Sequence, residues 1–257
     1  MKKRNPARIA SMSLLALAAF ALASFATACG SSDSEGVSVA IALEAPTTNS
    51  KATGDTWTTD LGYTVHLQRA YLASGSAEIL PCATAAKGSL LGSPLRELRS
   101  FFAIKEAHAH TEGSPTKLGI PVIESLLATG GTRVRMGTLA PPPNSYCQVR
   151  YSVHEADADA VAMPSDVDMV GKSLYLSGTW AKGGDPKPFV ASSQLPLTVD
   201  LPVGTTVLST DGTQKAELVI RKNADTWFNG IDFASPTPDI ASKALKQMQT
   251  SFTAARL

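Results

Sequence analysis

The chain has 257 residues, of which 44% are hydrophobic, and carries 23 lysines and arginines against 22 aspartates and glutamates. No run rich in lysine and arginine follows its first residues, so the composition argues against a nucleic-acid partner. This length suits one large domain with its own hydrophobic core.

The N-terminal residues have the layout of a secretory signal peptide. A basic start with four lysines and arginines precedes an apolar stretch over 14–26, which is too short to span a bilayer comfortably. The run from Ala26 to Cys29 is similar to the bacterial lipobox, in which a cysteine is acylated and becomes the first residue of the mature protein. We therefore expect a lipoprotein signal peptide over 1–28 and lipid attachment at Cys29. The alternative is an ordinary cleavage near Ala28 that leaves this cysteine as a free thiol.

Residues 29–36 are short, polar and rich in glycine and serine, which predicts a flexible tether between lipid and domain. Gly30, rather than aspartate, follows the acylated cysteine, and in Gram-negative bacteria this implies sorting to the outer membrane. Cleavage before Cys29 removes four basic residues and no acidic ones, so 19 basic residues remain against 22 acidic ones. These features predict an envelope protein anchored by lipid in the outer membrane, on its periplasmic or surface face.

Two cysteines remain in the predicted mature chain, Cys82 and Cys147. An even number suits a disulfide bond in an oxidising compartment. Closing so long a loop stabilises a fold by about 4 kcal/mol through the entropy of the unfolded chain. The alternative is a thiolate metal site, which the lack of Cys-x-x-Cys spacing disfavours.

Seven segments from residue 37 onward show the period-2 alternation of strands with one buried face. The segments with this pattern are 37–44, 63–71, 133–136, 147–154, 174–176, 195–201 and 218–220. Turn-forming residues separate them, including 183–186, 202–204 and 211–212. Many short strands with turns between them predict an all-β fold, an antiparallel β-sandwich. The apolar run 120–128 fits either a short helix or a buried strand.

One helix is predicted, over 237–253, at the end of a single β-sandwich domain that comprises 37–257. Thr237 suits the N-cap and Pro238 suits the first helical position. Apolar side chains recur along one face at Ile240, Ala244, Met248 and Phe252.

Two of the four histidines alternate in a segment that also carries two glutamates. These candidate metal ligands are Glu106, His108, His110 and Glu112. In an extended segment their side chains project from the same side, with successive ones about 7 Å apart. Two imidazoles at that spacing can share one copper, zinc or nickel ion, and the carboxylates can ligate the ion or orient the rings. A third ligand would be His66 or His154, each on the polar face of a predicted strand.

The same segment also fits a solvated loop or a helical turn. On a helix, His108 and His110 point about 200° apart and cannot chelate one ion together, although His108 with Glu112 still can. For hydrolysis, the sequence holds no Gly-x-Ser-x-Gly motif, and Ser114 to Lys117 matches Ser-x-x-Lys without its companion triplets. We therefore expect no enzyme.

Three segments carry a family resemblance: the strand 37–43, the strand 62–72, and the proline turn 139–146 that leads into residues 148–151. They resemble bacterial envelope lipoproteins built on a transthyretin-like or immunoglobulin-like sandwich. The arrangement is also loosely similar to the copper-binding lipoproteins found with methanobactin systems. This resemblance implies a periplasmic or surface-attached binding role, and it assigns no ligand and no catalytic residue.

The leading hypothesis is a lipid-anchored protein that binds a transition metal, copper ahead of zinc, without turnover. Its ligands would be His108 and His110 with help from His66 or His154. The alternative is a metal-free interaction module of the envelope, whose loops or C-terminal helix hold a protein or glycan partner.

Overall fold

Strands make up most of the described chain, which confirms the all-β fold class predicted from the sequence. The computed structural model describes residues 37–47, 52, 53, 55–82, 114–128, 130–208, 214–235 and 239–257. The strands are β1 (Ser38–Glu44), β2 (Ala52–Thr53), β3 (Thr56–Thr58), β4 (Thr64–Pro81), β5 (Lys117–Leu118), β6 (Val122–Ser125), β7 (Arg133–Leu139), β8 (Asn144–Val153), β9 (Leu174–Ala181), β10 (Lys187–Ser193), β11 (Leu197–Leu208), β12 (Lys215–Lys222) and β13 (Phe252–Arg256). A 3₁₀ helix spans Ala224–Thr226, and helix α1 spans Ile240–Gln249.

These strands form two sheets. The smaller has the order β13-β12-β1-β7. The larger has nine strands in the order β10-β9-β4-β3-β2, with β5, β6 and β8 also paired to β4 and β11 paired to β8. Within the described ranges the named strands pair antiparallel, except that β1 pairs parallel with β12. Buried side chains of both sheets belong to one hydrophobic core, and Gly36 to Leu257 form one compact unit.

Strand β4 links the two halves of the larger sheet. Its first half pairs with β9 as far as Leu72, and its second half pairs with β8 from Ser74 onward. The register shifts between Ser74 and Ser76, so Gly75 forms a bulge where the strand changes partner. The sequence predicted only the first half, 63–71, because two serines and a glycine interrupt the apolar alternation there.

Helix α1 differs from the predicted helix 237–253 at both ends. Asp239 caps it, because its side chain accepts a hydrogen bond of 3.2 Å from the backbone N–H of Ser242. Thr237 and Pro238, the predicted start, lie outside the described residues.

The predicted C-terminal end of this helix is wrong. The helix ends at Gln249, and Phe252 begins β13, which pairs antiparallel with β12. Sheet hydrogen bonding therefore overrides the helical spacing of Phe252. The predicted apolar face is otherwise confirmed, since Ile240, Ala244 and Met248 are buried. No helix in the described part of the chain is long and apolar enough to cross a membrane.

Candidate functional site

His66 lies on β4, opposite Thr56 of the neighbouring strand β3, and its side chain is 44% exposed. Its Nδ1 is 3.2 Å from Oδ1 of Asp55 and 3.2 Å from the hydroxyl of Thr56. A carboxylate at this distance holds the proton on Nδ1 and leaves Nε2 with a lone pair. In its neutral form, His66 can therefore offer Nε2 to a metal ion or to a proton.

His154 follows β8 and lies against the bulge of β4. Its ring covers Gly75 so closely that a Cβ atom at that residue would be 1.9 Å from Cδ2 and Nε2 of the ring. Its Nδ1 is 3.0 Å from the backbone oxygen of Glu155. Since a carbonyl oxygen only accepts, Nδ1 donates this hydrogen bond and Nε2 keeps its lone pair. His154 thus also presents one nitrogen in the form that a metal ion requires.

The two described histidines are too far apart to bind one ion together. His66 and Gly75 are nine residues apart on β4, which corresponds to about 30 Å of strand at 3.3 Å per residue. A metal site therefore uses one of them and not both. In the described ranges, no three His, Cys, Asp or Glu side chains lie together as potential metal ligands.

The remaining predicted ligands lie outside the described residues. These are Glu106, His108, His110 and Glu112, and the predicted lipid-bearing Cys29 also lies outside, as do the signal peptide 1–28 and the tether 29–36. Their roles stay predictions.

The predicted disulfide is present between Cys82 and Cys147, whose Cα atoms are 4.8 Å apart. It joins the end of β4 to β8, two strands that already pair side by side. The alternative interpretation of these residues as a thiolate metal site is therefore wrong.

A buried polar cluster that the sequence analysis missed connects the two sheets. It consists of Ser74, Glu124, Tyr151 and Lys222, none of them more than 3% exposed. The Nζ of Lys222 is 2.7 Å from Oε2 of Glu124 and 3.4 Å from the backbone oxygen of Glu44. The hydroxyl of Ser74 donates to Oε1 of Glu124. The phenol of Tyr151 is 3.3 Å from the same oxygen and also shares a hydrogen bond with the hydroxyl of Ser74.

A signal for this cluster exists in the sequence. Lys222 follows Leu218 and Ile220 at period 2, which puts it on the buried face of its strand. Glu124 follows Val122 in the same way. Charged residues at core positions of two separate strands indicate a buried pair.

Tyr151 stays protonated within this cluster. Burial raises the pKa of its phenol well above the usual value, and the neighbouring carboxylate of Glu124 raises this pKa further. The phenol therefore keeps its proton and can donate it to Glu124 or to the hydroxyl of Ser74.

Comparisons with protein-family models, with curated proteins and with solved structures found no match to this chain.

Proposed function

We propose that the protein is a lipid-anchored envelope protein that binds one transition-metal ion, copper or zinc, without turnover. The proposed ligands are His108 and His110, with His154 as the third. The carboxylates of Glu106 and Glu112 orient the rings or ligate the ion.

The observation that supports this choice is the position of Thr116, which follows the segment with the other two histidines in the sequence, relative to the strand under His154. The backbone oxygen of Thr116 accepts a 2.9 Å hydrogen bond from the N–H of Ile79, so this part of the chain lies beside the second half of β4. Ile79 is four residues from Gly75, on which the His154 ring lies, or about 13 Å of strand. His110 is four residues before Ser114, and a chain of that length spans at most about 14 Å.

His66 lies too far from Ile79 for His108 or His110 to reach it. Thirteen residues of β4 separate it from Ile79, and even a right-angle bend at Gly75 leaves about 32 Å between them. His108 is six residues before Ser114, a span of at most about 21 Å. Covalent reach therefore favours His154 over His66 as the third ligand.

The test is the affinity of the purified full-length protein for Cu²⁺ and Zn²⁺, measured by competition with a chelator of known affinity. We expect the paired substitution of His108→Ala with His110→Ala, and His154→Ala alone, each to weaken binding at least tenfold. His66→Ala is the matched control and should leave the affinity unchanged. Binding should also weaken below about pH 6, where imidazole takes up a proton.

Two results would contradict the proposal in different ways. If His66→Ala weakens binding and His154→Ala does not, the third ligand is wrongly assigned. If the wild-type protein has no affinity for either ion, metal binding is not the function.

The second candidate is a metal-free envelope module that holds a protein or glycan partner. The observation that favours it is the exposure of apolar side chains near the edge strand β10, where Val190 is 71% exposed and Leu195 is 46% exposed. A shallow groove that includes Leu195 is also lined by Val170, Lys172, Gln194, Ser192 of β10 and Ser242 of helix α1. Exposed apolar side chains rimmed by polar ones are typical of a binding surface. Loss of partner capture in a Val190→Ser variant that retains its stability would support this candidate.

A further inference from the structure

Lys222 and Glu124 form an ion pair in the interior of the sandwich. Lys222 belongs to β12 of the smaller sheet and is 1% exposed, whereas Glu124 belongs to β6 of the larger sheet and is 3% exposed. Their side chains meet with Nζ 2.7 Å from Oε2. Taking two full charges out of water costs several kcal/mol for each ion, and their attraction offsets this cost only in part.

The two carboxylate oxygens of Glu124 have different partners. Oε2 contacts the amine of Lys222, and Oε1 accepts hydrogen bonds from the hydroxyls of Ser74 and Tyr151. Hydroxyls placed to donate to this oxygen stabilise negative charge that develops there, as an oxyanion hole does. The amine is meanwhile held against the other oxygen, next to the carboxyl carbon, and such proximity replaces much of the entropy that a reaction between free groups loses.

We propose that Lys222 and Glu124 are joined by an isopeptide bond, which forms spontaneously once the chain has folded. One proton of the ammonium group passes to Oε2, and this leaves a neutral amine beside a neutral carboxyl. The Nζ lone pair attacks Cδ, and Oε1 carries the negative charge toward Ser74 and Tyr151. A second proton passes from Nζ to Oε2, the Cδ–Oε2 bond breaks and one molecule of water leaves. The third proton stays on the amide nitrogen, so no oxidant or co-reactant is needed.

The amide product removes the two buried charges of Lys222 and Glu124. An amide carries no net charge, so the desolvation penalty of two ions disappears. The bond also connects the two sheets of the sandwich covalently, which suits the envelope location proposed above.

Peptide mapping of the full-length protein tests this modification. Trypsin cleaves after Lys117 and Arg133, which releases the peptide 118–133 that contains Glu124. It does not cleave after a lysine whose Nζ is acylated, so Lys222 stays in the peptide 222–243. We expect a branched species that joins these two peptides and is lighter than their sum by one water. Recovery of separate linear peptides 118–133 and 223–243, with no branched species, would overturn the proposal.

Single substitutions test which side chains form the bond and which assist the reaction. Lys222→Met removes the amine and should abolish the branched species, whereas Lys215→Met, at an exposed lysine of the same strand, should retain it. Tyr151→Phe removes one donor to Oε1, and loss of such a donor slows comparable reactions by about 100-fold. This variant should therefore yield mainly the linear peptide 118–133 from freshly made protein. An unchanged yield of the branched species in Tyr151→Phe would contradict the role assigned to the phenol, and the wild-type map decides the main point even if a variant fails to fold.

Discussion

Arg150 and Asp200 show how single residues set the response of this protein to acid. They lie opposite each other on β8 and β11, and the guanidinium contacts the carboxylate through Nε at 2.8 Å and through Nη2 at 2.9 Å. The two parallel hydrogen bonds from Arg150 lower the pKa of Asp200 below its usual value. Asp166 has a lowered pKa for the same reason, since Arg69 donates to it from 2.6 Å.

This predicts a loss of stability in acid. A carboxyl whose folded-state pKa is lowered contributes stability that is fully present above its unfolded pKa and is lost as the pH falls through the folded value. We expect the free energy of unfolding, measured by urea titration, to decrease below about pH 4, where unfolded aspartate takes up its proton. In both ion pairs the arginine and the aspartate are partly exposed, so each pair contributes little to the stability of the fold.

Two substitutions check the origin of this pH dependence. Asp200→Asn and Arg150→Met should each make the decrease below pH 4 shallower than in the wild type. If the free energy of unfolding of these variants decreases with pH as steeply as that of the wild type, the Arg150–Asp200 pair is not the cause of the acid sensitivity.

At the scale of elements, two glycines lie where a neighbouring strand or side chain leaves no room for a Cβ atom. A Cβ atom at Gly178 of β9 would lie 2.0 Å from the backbone oxygen of His66, next to the register shift between Leu67 and Arg69. A Cβ atom at Gly75 would meet the His154 ring instead. The first obstacle is backbone held in a sheet, and the second is a side chain that can rotate away.

We therefore predict unequal costs for two identical substitutions. Gly178→Ala should lower the free energy of unfolding by about 3 kcal/mol, because the backbone it meets cannot move. Gly75→Ala should lower it by about 1 kcal/mol, because the ring it meets can rotate away. Urea unfolding of each variant measures both values. In a His154→Ala background, Gly75→Ala should lose most of its cost, because the obstructing ring is gone. Equal costs at the two glycines would contradict this explanation.

The same elements show what the sequence could and could not predict. Alternation identified β8 correctly, with Val149, Tyr151 and Val153 on the buried face, because each residue there follows the local pattern. It predicted a turn at 202–204, where β11 in fact continues through an irregularity between Pro202 and Thr206. Pairing with β8 maintains the strand, and such pairing is not a local property.

The candidate site was predictable only in part. Sequence spacing identified His66 and His154 as polar-face residues, but only the path of β4 shows that they lie far apart. Local alternation likewise puts Lys222 and Glu124 on buried faces, but their contact with each other depends on how the two sheets pack.

At the scale of the whole molecule, the Cys82–Cys147 disulfide is a long-range covalent link between cysteines 65 positions apart in the sequence. It joins strands that already pair, so it does not determine the fold. Its main effect is on the unfolded chain, whose conformational freedom it reduces.

Reduction should therefore destabilise the protein without changing its structure. We predict that the substitution of both cysteines by alanine lowers the free energy of unfolding by about 4 kcal/mol, the value expected for a loop of this length. Far-UV circular dichroism should remain that of the wild type, because β4 and β8 keep their hydrogen bonds. A reducing agent should lower the stability of the wild type and leave the double variant unaffected. A double variant as stable as the wild type would mean that another link already constrains the unfolded chain in this region. The proposed bond between Lys222 and Glu124 is such a link. In that case, the disulfide should show its full effect on stability in the Lys222→Met background.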